Sequence, residues 1–149
     1  AKNKLIKLLE SVPDLELEMS DIEIRFNKNI DTAKLKNDFE IVKIKKYSQI
    51  AMSELISEGK SNYFDLIYID GSHQAPDVLT DAVLAFQLLE IGGILIFDDY
   101  IWSLDKSGFQ DILKMPKIAI DAFVNIFQRK LSLYRGAPID QLYLRKLSN

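Results

Sequence analysis

The chain has 149 residues, no cysteine and a formal net charge of −3 at pH 7, which excludes disulfides and thiolate metal sites. The balance of 48% hydrophobic and 28% charged residues is typical of an ordinary globular protein. We expect a single domain, 1–149, in a cytoplasmic protein that binds neither nucleic acid nor membrane, because the charge is slightly acidic and no apolar run approaches the roughly 20 residues of a membrane span.

The first part of the chain predicts one or two short helices. Apolar residues within 1–13 favour an amphipathic helix, and the alternation that follows up to Met19 fits an edge strand or an extended linker. Ser20 and Glu23 have the spacing of a capping box, which predicts a helix over about 21–30.

The next stretch predicts a strand followed by a helix. Residues 39–45, FEIVKIK, alternate apolar and polar side chains as a strand does. Ser48 and Gln49 come next, so they should lie at the end of that strand. Ser48 is equally compatible with a simple helix N-cap. The apolar spacing up to Ile56 predicts the helix, and Gly59 ends it.

The central segment predicts a strand, a crossover helix and a second strand. Apolar runs at 64–69 and 93–97 are separated by residues of helical spacing, with Gly92 and Gly93 expected to end the helix. Such a connection places the two strands parallel in one sheet, so their carboxyl ends meet at the same edge.

The C-terminal part predicts a helix over about 116–129 and two alternating runs separated by Gly136–Pro138. The two runs indicate an antiparallel strand pair beside the parallel strands. The predicted fold class is therefore α/β, with a mainly parallel sheet and a C-terminal antiparallel strand pair.

Three aspartates follow the two central strands. Asp70 ends the first, and Asp98 and Asp99 end the second. Because these ends should meet, the carboxylates are candidate ligands for a hard divalent cation such as Mg²⁺. Alternatively, Asp70 and Asp98 only cap the turns that follow.

His73, the only histidine, lies three residues after Asp70. Histidine side chains in general titrate near neutral pH, so this residue could take a proton from a substrate hydroxyl. A bound cation would increase the acidity of that hydroxyl. The alternative is a histidine that packs a surface loop. Tyr100 and Trp102 could line a pocket beside Asp99 or pack beneath the loop.

Several motifs together resemble the macrocin-type O-methyltransferases, a branch of the class I S-adenosylmethionine-dependent methyltransferases. They are IDGSH and GGILIFDDYIW, with MSDIEIRFNKNI and VKIKKYSQIAMSEL upstream, and the resemblance covers about residues 19–103. It implies that Asp70, Asp98 and Asp99 bind magnesium and that His73 is the general base. It further implies that Ser48, Gln49 and Asp70 belong to the cofactor-binding residues, with Ser48–Gln49 against the adenine of the methyl donor.

The chain also departs from this family. In the family the donor lies over a glycine-rich turn after the first strand, whereas no glycine here forms a G-x-G turn between an early strand and a helix. The resemblance therefore implies a truncated Rossmann-like methyltransferase fold without its donor-binding front. The missing strands would leave a sheet edge open, to be covered by a homo-oligomer or by a partner that supplies the missing half.

Two classes of function remain open from the sequence. The first is a magnesium-assisted O-methyltransferase acting on a small-molecule hydroxyl, such as that of a sugar, or an inactive fragment of one. The second is a non-catalytic interaction or assembly module that keeps the fold. A phospho-acceptor receiver domain also gathers three acids at a sheet edge, but its acidic pair belongs to an earlier strand than its single acid.

Overall fold

The structure, a computed structural model, describes residues 19–35, 39–106 and 108–149. The chain divides into two compact units, residues 1–43 and 44–149. The helix predicted within 1–13 and the strand or linker predicted before Met19 lie outside the described residues.

In the first unit, helix α1 spans Met19–Lys34 and contains the predicted segment 21–30. Ser20 already lies inside the helix, so the predicted capping box does not stand at the helix start. Further along, the Lys43 ammonium lies 2.6 Å from the Glu23 carboxylate.

The strand predicted at 39–45 is wrong, because these residues form no regular secondary structure. Val42 is 75% exposed, and Phe39 and Ile44 are exposed as well. An extended segment becomes a strand only when a neighbouring strand takes up its amides and carbonyls. No strand of the described residues does so here.

The second unit contains the other elements. They are α2 (Ser48–Ser57), β1 (Phe64–Ile69), α3 (Ala75–Leu88), β2 (Leu89–Phe97), a 3-10 turn (Ile112–Lys114), α4 (Pro116–Phe127), β3 (Leu131–Leu133) and β4 (Leu142–Lys146). The helices predicted within this unit and the strand–helix–strand core are confirmed, as is the antiparallel C-terminal pair.

Strand β2 begins four residues earlier than predicted, so Gly92 and Gly93 lie inside it and do not end α3. The pairing with β1 steps from Phe64 opposite Leu89 to Leu66 opposite Ile94, and the two glycines fall within this irregularity. Gly92 adopts φ +94°, a conformation that favours glycine. The chain therefore turns directly from α3 into β2.

The sheet of the described residues has the order β1-β2-β4-β3. β1 and β2 are parallel, and β4 is antiparallel to both of its neighbours. Helices α2, α3 and α4 pack side by side in that order. The core combines buried side chains of α3, α4 and the sheet, including Ala82, Phe97, Ile120, Phe123 and Leu144.

None of the helices in the described part of the chain combines the length and the apolar character required to cross a bilayer.

Candidate functional site

The parallel pairing of β1 and β2 brings three carboxylates to one edge of the sheet. Asp70 follows β1 directly, and Asp98 and Asp99 follow β2. One ligand oxygen from each residue lies within 4.8 Å of the others. With His73 they line a single small pocket. The structure thus brings together the four side chains that the sequence placed at this edge.

His73 is held between a carboxylate and an aromatic ring. Its Nε2 lies 2.9 Å from Oδ2 of Asp99. The ring centroids of His73 and Trp102 are 4.1 Å apart, with an angle of 34° between the ring planes. An ionised carboxylate can only accept a hydrogen bond, so Nε2 carries the proton. Nδ1 is then the nitrogen of neutral His73 that can accept another proton.

Asp99 has an unusual backbone conformation for a residue other than glycine, with φ +53°. Its amide donates to Oδ1 of Asp98, and its carbonyl accepts from the amide of Trp102. Aspartate is among the residues that tolerate this left-handed region best. The sharp turn directs Asp98 and Asp99 to the same pocket although they are adjacent in sequence.

Asp98 is surrounded by donors that the sequence analysis did not identify. Tyr68 donates to its Oδ2, and Nε2 of Gln141 lies 3.0 Å from its Oδ1. These two hydrogen bonds lower the pKa of Asp98. The hydrogen bond with Asp98 raises the pKa of Tyr68 to about 12. Tyr68 stands two residues before Asp70 on the same strand, and that spacing is the only signal for it in the sequence.

Tyr100 and Trp102, treated together in the sequence, have different environments. Trp102 stacks on His73 in the site. Tyr100 packs against the core and donates to Asp121 of α4, and it accepts from the Lys117 ammonium. Hydrogen bonds to Asp121 and Tyr100 raise the pKa of Lys117. Tyr100 therefore anchors the segment after Asp99 to α4.

Ser48 and Gln49 do not share one environment. The Ser48 hydroxyl lies 2.8 and 2.9 Å from the two carboxylate oxygens of Asp81 on α3, and Asp81 lies beneath Gly71, the residue after Asp70. Gln49 lines a shallow groove between α2 and α3 together with Ser53 and Thr80. Ser48 thus approaches the candidate site through Asp81, whereas Gln49 lies on the helical surface.

A family model described as "Methyltransferase domain" matches residues 9–100. An uncharacterized protein of Acanthamoeba polyphaga mimivirus is 37% identical over 57 residues, which are 38% of this chain and 26% of that protein. The chain therefore spans about a quarter of the length of this relative.

Among solved structures, a protein of Corynebacterium glutamicum matches with a TM-score of 0.50 and 20% identity. The match covers 71% of this chain and 47% of that one. This likeness concerns the fold alone, and with the observed sheet it supports the Rossmann-like α/β class expected from the sequence.

Proposed function

The chain belongs to the methyltransferase domain family, and on this basis we propose that it takes part in S-adenosylmethionine-dependent, magnesium-assisted methylation of a hydroxyl on a small molecule, such as a sugar. The observation that supports this proposal is the cluster of Asp70, Asp98 and Asp99 with His73 at its side. Within this reading, the described residues supply the part of the site that binds and activates the acceptor.

The three carboxylates fit a hard divalent cation. They offer three oxygen ligands within 4.8 Å of one another, and an incomplete oxygen set leaves positions for water and for a substrate hydroxyl. A bound cation would lower the pKa of that hydroxyl. Asp70, Asp98 and Asp99 would hold the cation, and the acceptor hydroxyl would bind at a free position on it.

His73 is placed to receive the acceptor proton. Asp99 fixes the Nε2–H of His73, and the stacked Trp102 restricts rotation of the ring. Nδ1 would take the proton, in the tautomer that the Asp99 contact selects. Trp102 also forms an aromatic wall beside the site, which would exclude water from one side of an acceptor.

The methyl donor fits the described residues less completely. Ser48 is engaged by Asp81, and no glycine of the described chain forms a phosphate- or methionine-cradling G-x-G turn. S-adenosylmethionine is therefore proposed as the methyl donor from the family alone. A complete donor site would need residues beyond those that the structure describes.

Calorimetric titration with Mg²⁺, in the presence and absence of S-adenosylmethionine, tests the proposal. We expect wild-type protein to bind Mg²⁺ and Asp70→Asn to bind it at least about tenfold more weakly. Loss of a residue that merely supports a metal ligand already lowers metal affinity by about tenfold or more, and loss of the ligand itself should lower it at least as much. Asp65→Asn is the matched control, since Asp65 is an exposed aspartate on the same strand.

The outcomes separate the two classes of function. Binding of both Mg²⁺ and S-adenosylmethionine supports the proposal of a methyltransferase. Binding of Mg²⁺ alone indicates a chain that keeps the cation site and lacks a complete donor site. If neither ligand binds, the proposal is wrong and the non-catalytic assembly module is favoured.

We further propose that the free edge of β1 is covered by a second copy of the chain or by a partner that supplies the missing half of the sheet. Within the described residues β1 pairs only with β2. Leu66 and Tyr68 are 54% and 45% exposed. Such an edge presents unpaired amides and carbonyls beside apolar side chains, a surface that favours strand addition.

A further inference from the structure

Asp98 sits in a hydrogen-bonded clamp made of Tyr68, Gln141 and Tyr143, which we call the Tyr–Gln clamp. We propose that this clamp restricts Asp98 to a single free lone-pair position and thereby makes the site prefer a small octahedral cation, Mg²⁺ or Mn²⁺, over Ca²⁺. This inference rests on the proposed function, because it assumes that Asp98 is a cation ligand.

The hydrogen-bond capacity of the Asp98 carboxylate is nearly used. Its Oδ1 accepts from Gln141 Nε2 and from the Asp99 amide, both at 3.0 Å. Its Oδ2 accepts from the Tyr68 hydroxyl. A carboxylate offers about four lone-pair positions, two on each oxygen. One position on Oδ2 therefore remains for a cation.

Hydrogen bonds within the clamp also orient the side-chain amide of Gln141. The Gln141 side-chain nitrogen donates to Tyr68 at 3.1 Å as well as to Asp98, and its Oε1 accepts from the Tyr143 hydroxyl at 2.8 Å. These contacts fix which end of the amide is nitrogen, because a flipped Gln141 would place its oxygen against the Asp98 carboxylate. Asp98 is thus held by partners that cannot easily exchange roles.

The sheet register explains how the clamp is assembled. Tyr68 of β1 and Tyr143 of β4 lie opposite Ile96 of β2 from its two sides. The three side chains therefore share one face of the sheet, on which Ile96 is only 7% exposed. Gln141 directly precedes β4, next to the point where Asp98 leaves β2. Three strands must pair in this register for the clamp to exist.

One free lone-pair position has a consequence for cation choice. Ca²⁺ takes six to eight oxygen ligands and readily uses both oxygens of a carboxylate, whereas Mg²⁺ requires octahedral geometry and often uses single carboxylate oxygens and waters. With Oδ1 occupied by two donors, Asp98 binds through one oxygen only. The clamp therefore removes a bidentate ligand that Ca²⁺ would use.

Titration of the purified protein with Mg²⁺ and, separately, with Ca²⁺ tests the inference in wild type, Tyr68→Phe and Gln141→Leu. We expect each variant to lose about tenfold or more in Mg²⁺ affinity, as is usual when a supporting contact to a ligand is removed. In Gln141→Leu the affinity for Ca²⁺ should fall less than that for Mg²⁺, because a position on Oδ1 becomes free, so the preference for Mg²⁺ narrows. Tyr68→Phe leaves both donors on Oδ1 and should keep the preference. A purely structural role of Gln141 would weaken the binding of both cations alike.

Two further variants complete the design. Tyr63→Phe is the matched control, because Tyr63 precedes β1 at its other end and contacts Lys60 and Phe64 instead of an acid. Tyr143→Phe removes only the hydrogen bond to Oε1 of Gln141 and should lose less Mg²⁺ affinity. It takes the place of Gln141→Leu if that variant does not fold.

The results distinguish this inference from the proposed function. If wild type binds Mg²⁺ and Gln141→Leu keeps the preference of wild type for Mg²⁺ over Ca²⁺, the inference alone is wrong. If wild type binds Ca²⁺ as tightly as Mg²⁺, the proposed selectivity is also wrong. If wild type binds neither cation, the cation site of the proposed function fails, and the inference fails with it.

Discussion

Among the charged side chains that the structure describes, Asp81 and Lys146 are the two that are almost inaccessible, at 5% and 1% exposure. The Lys146 ammonium donates to the Phe86 and Leu89 carbonyls near the end of α3 and to Asn62. Among the described side chains, the Ser48 hydroxyl is the hydrogen-bond donor to the Asp81 carboxylate. Burial raises the pKa of Asp81, and the Ser48 hydrogen bond only partly opposes this.

Asp81→Asn should therefore stabilise the protein at neutral pH. The folded-state pKa of Asp81 lies above the unfolded value of 3.8, so the native state binds more protons than the unfolded state between these values, and stability falls as pH rises through that window. Asparagine avoids this cost and can still accept from Ser48. We expect a gain in the free energy of unfolding at pH 7 that disappears as the pH falls below 3.8.

Urea unfolding at both pH values measures this difference. Exposed Asp65→Asn serves as the control and should show little effect at either pH. An Asp81→Asn gain of equal size at both pH values would contradict the explanation by proton linkage.

At the scale of single residues, the sequence was sufficient to predict the candidate site residues that directly follow a strand. Asp70, Asp98 and Asp99 could be placed together because parallel strands end at the same edge. The role of Tyr68 and Gln141 could not be foreseen in this way. Gln141 lies 43 residues after Asp98, and only the register of β2 against β4 brings them into contact. Asp81 was missed because an acid inside an otherwise apolar helix pattern is normally assigned to the exposed face.

At the scale of elements, long apolar patterns were predicted well and boundaries less well. The apolar spacing predicts the α3 helix but carries it up to Gly92, whereas residues 89–91 already begin β2. The strand predicted at 39–45 had the correct alternation but lacked a described neighbour. Periodicity indicates what a segment could form, and pairing decides whether a strand exists.

The irregular start of β2 gives a test at this scale. A Cβ at Gly93 would lie 3.0 Å from the carbonyl oxygens of Asp65 and Glu90 and 2.8 Å from Leu89 Cδ1. Gly93→Ala should therefore reduce the free energy of unfolding by about 1–3 kcal/mol, as overpacking against backbone does.

Gly71→Ala is the matched control for this substitution, because the nearest atom to its new Cβ would be 3.6 Å away. Chemical denaturation of both variants gives the comparison. Equal stability of the two would show that β2 does not pass as close to β1 as the structure has it.

At the scale of the whole molecule, the described sheet has two edges of different character. β3 is only three residues long, whereas β1 is six residues long and carries exposed Leu66 and Tyr68. Short edge strands resist further pairing better than long ones. The β1 edge is therefore the one at which we expect association.

Leu66→Lys should shift the protein toward the monomer, because a lysine on an edge strand opposes strand addition. Light scattering after size exclusion would give the masses, with wild type above the 17.1 kDa of one chain. Leu133→Lys, on the opposite edge strand, is the control and should leave the mass of wild type unchanged. A wild-type mass of one chain at every concentration would contradict self-association through β1.

The backbone at Asp99 imposes a joint restriction on what can occupy that position. Its φ of +53° is tolerated by glycine, asparagine and aspartate, while a carboxylate is needed to contact His73 and complete the acidic cluster. Of the twenty amino acids, aspartate alone meets both demands, since glutamate would strain the turn and asparagine would lack the charge. A substitution at this position would therefore change either the backbone conformation of the turn or the carboxylate that contacts His73.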